Sequence, residues 1–245
     1  MKFAILQHSQ IENAGFLNLL MRENGIDYDT YALDKNNLFP ELDNYNALII
    51  LGGPMDPLDH IKYPWLKLEI ALIREAIVER KLPTLGICLG HQLMAVALGG
   101  SVSRMHEAEV GVSQVSLNLA GTRDPLFRGW DDITSVVQWH DWQIATPPTQ
   151  ALILANSPDC NVQAMRLCNR AWGIQFHLEI HDKTINQWLT LPEYVTELKD
   201  LLGENACKIL RDQFDSSMTK LNADARILFT NFIRLASLEP YSLEE

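Results

Sequence analysis

Basic residues are scarce in this chain: 20 Lys and Arg stand against 31 Asp and Glu, a formal net charge of −11. Binding along a phosphate backbone needs clustered cations, so nucleic acid is excluded as the main partner. Long apolar runs are missing as well. No window approaches the roughly 20 residues that span a bilayer, and the apolar part of MKFAILQHSQ is too short to be expected as a secretory signal. The expectation is a cytoplasmic protein with no membrane partner, where thiols stay reduced. Cysteine is sparse, at four residues (Cys88, Cys160, Cys168 and Cys207). Cys160 and Cys168 have neither the close spacing nor the accompanying His pair of a zinc site, so no metal is expected. No Gly/Ser-rich linker, low-complexity tract or internal repeat divides the chain.

What is present is an ordinary globular composition over 245 residues, 47% of them hydrophobic, which is enough chain to bury a sizeable core. KFAILQ (2–7) reads as a buried strand. A helix follows from about Ala14 to Asn24, with Phe16, Leu17, Leu20 and Met21 on one face. Tyr28 to Leu33 alternates weakly, as a second strand. ALIILGG (47–53) is continuously apolar, as strands buried on both faces of a parallel sheet are. Trp65 to Arg80 carries Leu66, Ile70, Ile73 and Ile77 at helical spacing. PTLGICLG gives a fourth strand, and HQLMAVALGG a helix stopped by Gly99-Gly100. This alternation predicts an α/β fold: an open, mostly parallel sheet flanked by helices. Short strand-like segments follow at Val112 to Leu117, Ile133 to Gln138, Ala151 to Ala155, Gln163 to Arg166 and Ala171 to Phe176. Residues 1–180 read as one α/β domain. Residues 181–245 read as a helical extension packed on it, with a helix from about Ala223 to Leu235.

Three short motifs carry chemistry. In LGICLGHQ, Cys88 stands between Gly86 and Gly90 where a strand turns into a helix. A sharp strand-to-helix turn needs small flanking residues, and the helix N-terminus favours a thiolate. Taken alone, Cys88 is as well explained as a small apolar residue ending a buried strand. In GIQFHLEI, His177 and Glu179 lie two apart, on one side of an extended strand. The carboxylate can orient the ring as a general base, although a polar strand end meeting water has the same pattern. In LGGPMD, Gly52, Gly53 and Pro54 form a stiff turn with open backbone N–H groups, suited to an oxyanion, with the N–H of Leu89 as a second donor. The three motifs sit at the C-terminal ends of three strands, the edge where open α/β sheets bind ligands.

Together these residues resemble the class I (triad-type) glutamine amidotransferases. Gly86, Cys88, Gly90 and Gln92 match the family's Gly-x-Cys-x-Gly-x-Gln motif, Gly52-Gly53-Pro54 its oxyanion loop, and His177 and Glu179 its His-x-Glu pair. The likeness covers roughly residues 1–180 and implies a flavodoxin-like sheet. It also implies attack by Cys88 on the side-chain amide of glutamine or a related γ-glutamyl amide, with His177 as base and then acid and Glu179 orienting it. Water would then resolve a γ-glutamyl thioester. By the same resemblance, Gly53 and Leu89 hold the oxyanion. Gly52, Gln92, Glu109, Gly111, Val112, His140 and Asp141 are implied along the substrate. The family commonly has Pro between His and Glu, where this chain has Leu178. Tyr63-Pro64-Trp65 and Glu109-x-Gly111 are nearest the stand-alone GMP-synthase-like amidotransferases.

No cofactor is implied. No Gly-x4-Gly-Lys-Ser/Thr loop or Ser-Gly-Gly-rich pyrophosphatase loop supplies an ATP site, so ammonia released here would go to a separate synthetase subunit. Two other functions compete: a free-standing γ-glutamyl peptide hydrolase, and a non-catalytic regulator that kept the fold. A tail that closes over the pocket favours the hydrolase, and an exposed apolar patch on it favours a partner.

Overall fold

The computed structural model describes residues 1–35 and 38–238. Among these residues nine strands form one sheet: β1 (Lys2–Gln7), β2 (Asp27–Ala32), β3 (Ala47–Ile50), β4 (Thr84–Ile87), β5 (Ser101–Leu117), β6 (Ile133–Thr146), β7 (Leu152–Asn156), β8 (Ala164–Leu167) and β9 (Ala171–Ile174). Their order is β2-β1-β3-β4-β9-β8-β7-β5-β6. From β2 to β9 every neighbour is parallel; from β9 to β6 every neighbour is antiparallel. The result is an α/β fold in which β4 and β9, carrying two of the three motifs at their ends, lie side by side at the centre.

The parallel strands are apolar on both faces because both are covered. On β1, Phe3 and Ile5 face one core with α1 (Gly15–Glu23) and α6 (Ala206–Ser237). Ala4 and Leu6 face the other, with α2 (Trp65–Arg74) and α3 (Leu89–Ala97). One π-helical turn, Glu75–Glu79, extends α2, so the predicted helix to Arg80 is continuous but widened at its end.

Two stretches are longer than the sequence pattern predicts. β5 runs 17 residues and pairs with β6 over nearly its whole length, with an irregularity between Arg104 and Glu109. The pattern misses its first half because MHEAE is exposed or half-buried and has no apolar alternation to read. α6 spans 32 residues rather than the stretch from Ala223 to Leu235. Weak helix formers (Ser216, Ser217 and Thr219) interrupt the signal, although Leu210, Phe214 and Leu221 keep an inward stripe.

The C-terminal helices are built into the fold. Leu228, Phe229 and Phe232 of α6 lie in the same core as Phe3 of β1, and Phe232 meets Phe3 and Trp172 edge-on. α4 (Thr184–Trp188), α5 (Pro192–Leu202) and the first half of α6 form a third cluster with Val137 and Trp139 of β6. Replacing fully buried Phe232 by Ala is expected to lower stability by about 3–5 kcal/mol, read as a shift in the chemical denaturation midpoint.

Candidate active site

The nucleophile candidate sits where β4 breaks into α3. Cys88 has φ 51° and ψ −105° and lies at the N-cap of α3, a conformation that costs a non-glycine residue strain. Its N–H donates to Ile174 O of β9 at 2.9 Å, and its carbonyl accepts from Gln92 N at 3.1 Å. Both flanking glycines are required by close approach. A Cβ on Gly86 would lie 2.4 Å from Met94 Sδ, and one on Gly90 2.3 Å from the Ile50 carbonyl. The elbow therefore presses against β3 on one side and its own helix on the other, leaving the thiol at the sheet edge.

His177 and Glu179 follow β9. His177 N–H donates to Val137 O at 2.8 Å, which ties this segment to β6. His177 Nδ1 lies 2.6 Å from Glu179 Oε1. The second carboxylate oxygen accepts from the backbone N–H of Leu178 at 2.9 Å. Proline at that position has no N–H to give, so the departure to leucine adds a hydrogen bond that fixes the carboxylate. The carbonyl of Glu179 accepts from Phe16 N–H at 2.7 Å. All three candidates are buried. Burial pushes the Cys88 thiol pKa up, and His177 beside it pulls the other way without cancelling that effect. Burial works against a charged His177 ring, yet Glu179 and Cys88 together lift its pKa well above that of ordinary imidazole.

Gly52 shows how tightly these groups converge: a Cβ there would meet Glu12 Oε2 at 2.5 Å, His177 Cε1 at 3.1 Å and Cys88 Cβ at 3.6 Å. Gly53 packs against His8 and Leu89, and Leu89, first residue of α3, has its N–H in the unpaired first turn of the helix. A cavity of about 630 Å³ opens beside them, and Gly53, Cys88, Gln92, His140 and Asp141 are on its wall. Gln92 Nε2 donates to Trp142 O at 3.0 Å and to Gln175 Oε1 at 3.1 Å. Glu109 lies behind that wall. It is 3.0 Å from His140 Nε2 and accepts from Ser157 Oγ at 2.8 Å and Gln163 Nε2 at 2.7 Å. Burial would raise its pKa, but these partners hold it below the usual carboxylate range. Gly111 and Val112 lie against Gln213 of α6, whose Oε1 is 3.3 Å from Val112 N.

Several residues at the site carry no motif in the sequence. His8, fully buried, has Nδ1 2.8 Å from Gly52 O and Nε2 2.8 Å from Glu69 Oε1, and stacks on Trp65. Burial opposes its charge, and the Glu69 carboxylate outweighs burial, raising its pKa. Glu12 accepts from the Tyr194 hydroxyl at 2.6 Å. Trp139 stacks on Tyr194, meets Trp188 edge-on and donates from Nε1 to Glu197 at 3.2 Å. Arg104 pairs with Asp141 and lies over the Trp142 ring. Tyr194 and Glu197 thus bring α5 onto the cavity wall. Single Glu, His and Tyr positions are commonplace in a sequence; only the β1–α1 loop and α5 meeting across β6 give them a site.

The chain matches the family model described as Glutamine amidotransferase class-I over residues 16–190. It is 29% identical over 188 residues to the glutamine amidotransferase-like protein YfeJ of Salmonella typhimurium, covering 73% of this chain and 76% of that one. It is 33% identical over 141 residues to a glutamine-hydrolyzing GMP synthase subunit of Saccharolobus solfataricus, covering 57% of this chain and 70% of that one. Among solved structures, a glutamine amidotransferase from Thermotoga maritima superposes with a TM-score of 0.85 at 29% identity, over 97% of this chain and 99% of that one. A glutamine amido transferase from Methylobacillus flagellatus gives 0.85 at 27% identity, over 100% and 98%. With the family model spanning most of the sheet and both central motifs, the chain belongs to the class I glutamine amidotransferases.

Proposed function

We propose that this protein hydrolyses the side-chain amide of glutamine through a γ-glutamyl thioester on Cys88 and releases ammonia for a separate synthetase. The observation that carries the reading is the buried set at the ends of β4 and β9: Cys88 on its strained elbow, His177 beside it, and Glu179 held by the Leu178 N–H. Attack by the thiolate on the amide carbon places negative charge on oxygen, and the N–H groups of Gly53 and Leu89 are assigned to hold it. The His177 imidazolium then gives its proton to the leaving nitrogen as the C–N bond breaks. Water next loses a proton to His177 and attacks the thioester, and breaking the C–S bond restores the thiolate. Glu179 keeps the ring in the right tautomer throughout. His8 holds the Gly52 carbonyl and so fixes the oxyanion turn from behind.

A synthetase partner is supported by the relatives named as subunits of GMP synthase, and by Leu201, Leu202 and Ile209, which expose apolar surface on the tail. One observation favours the second reading, a free-standing γ-glutamyl peptide hydrolase: Glu193, Tyr194 and Glu197 of α5 lie on the cavity wall. The four cysteines are unpaired, and among the described residues no helix is long and apolar enough to cross a membrane; the cytoplasm is the compartment we assign.

Cys88→Ala should abolish glutamine hydrolysis, followed as glutamate and ammonia release, while the far-ultraviolet circular dichroism stays unchanged; retained turnover overturns the mechanism. Glu179→Gln should cost about 10²–10⁴-fold in kcat. It removes a charge that raises the His177 pKa, so the imidazolium loses its proton at lower pH. The alkaline limb of the kcat/KM profile should move to lower pH accordingly, and an unmoved limb would show that Glu179 does not act through His177.

A further inference from the structure

Two spaces meet at Cys88. The large cavity carries Gly53, Gln92 and His140, and His177 is not on its wall. The small chamber, about 20 Å³, is lined by Glu12, His177 and Trp188, with Gly53, Cys88, Trp139 and Tyr194 common to both spaces. On the reading above, His177 must give its proton to the leaving nitrogen. The leaving group therefore departs on the side where the His177 ring is exposed, and the glutamyl chain occupies the other.

We infer that the small chamber is the leaving-group seat, that Glu12 and Tyr194 hold ammonia in it, and that it restricts the enzyme to primary γ-amides. Its volume is that of about one water molecule, which needs roughly 10–15 Å³ of such space, and ammonia is of the same size. Its polar partners are present. Glu12 is 5% exposed; among the described residues its Oε1 takes the Tyr194 hydroxyl at 2.6 Å, leaving Oε2, which packs at Gly52 beside His177 and Cys88, to accept an N–H. Nε2 of His177 has the Cys88 thiol as its neighbour and takes no other hydrogen bond among the described residues. The Trp139 ring, stacked on Tyr194 and edge-on to Trp188, walls the chamber with rigid aromatic surface. In the acylation step the C–N bond breaks, the nitrogen takes the His177 proton, and the resulting ammonia donates to Glu12. A water then replaces it, gives its proton to His177 and attacks the thioester. An N-alkyl amine has no room beside these rings.

The test compares glutamine with γ-glutamyl methylamide on the whole protein, in the wild type and in Tyr194→Ala, Tyr194→Phe and Glu12→Gln. The wild type should favour glutamine by at least about 100-fold in kcat/KM, the scale of one misplaced methyl group in a closed pocket. Tyr194→Ala, which opens the wall, should raise the methylamide-to-glutamine ratio by about 10-fold or more. Tyr194→Phe keeps the stacked ring and should keep the preference, while it and Glu12→Gln lower kcat for glutamine more than they change KM. Iodoacetamide, which carries no γ-glutamyl group and needs no amide nitrogen to leave, should alkylate Cys88 in every variant, as read by mass spectrometry, and an unchanged far-ultraviolet circular dichroism spectrum reports that each is folded. Labelling together with an unchanged amide preference in Tyr194→Ala overturns the seat and leaves the glutaminase reading standing. In the wild type, labelling without turnover of glutamine overturns the glutaminase reading and the seat that rests on it. Absence of both labelling and turnover in the wild type overturns the glutaminase reading and the seat with it.

Discussion

The backbone conformation at Cys88 is the constraint on which the site depends. A cysteine at positive φ is held there by the packing around it: Gly86 against Met94, Gly90 against the Ile50 carbonyl, and the Cys88 N–H locked to β9. Because β3, β4 and β9 are adjacent and parallel, their C-terminal ends fall in a row. The Gly52–Pro54 turn, Cys88 and His177 therefore reach one edge without any long excursion of the chain. Strain of this kind persists only where its surroundings over-determine it, and here three neighbouring strands do so.

Around that edge the β1–α1 loop acts as a brace. His8 bonds the turn at Gly52, Glu12 stands against the same glycine, and Phe16 N–H donates to the carbonyl of Glu179. One short loop thus touches both the turn at Gly52 and Glu179. Two of its groups are buried and ionisable: Glu12 couples electrostatically to His177 and Cys88, and His8 couples to Glu12. Burial holds the Glu12 carboxyl above the usual carboxylate range, against the pull of His177 and of the Tyr194 hydroxyl.

The elements legible in the sequence are those whose signals are local. Continuous apolar runs mark β1, β3 and β4, helical spacing marks α2, and Gly-x-Cys-x-Gly marks the elbow, because each is dictated by burial or backbone geometry within a few residues. The first half of β5 is hidden because its side chains are half solvated, and the first half of α6 because serine and threonine dilute its stripe. Glu12, Tyr194 and His8 are hidden for a different reason. Each is a single residue whose partner lies 44 to 182 positions away, and no spacing rule connects them. Glu109, Gly111 and Val112, which the family resemblance sets along the substrate, lie in a hydrogen-bonded wall and against α6. That placement follows from the length of the β5–β6 ribbon, which the short strand at Val112 to Leu117 does not convey.

The Glu12–Tyr194 hydrogen bond joins residues 182 positions apart, so the surroundings of Cys88 are drawn from distant parts of the chain. Gly86, Cys88 and Gly90 belong to the β4–α3 turn, whereas the aromatic wall beside the thiol draws on Tyr194 of α5. A contact of such long sequence separation carries a loop-closure cost that local contacts do not. Undocking α5 would therefore open the wall at Cys88 while the packing of the turn itself stayed in place.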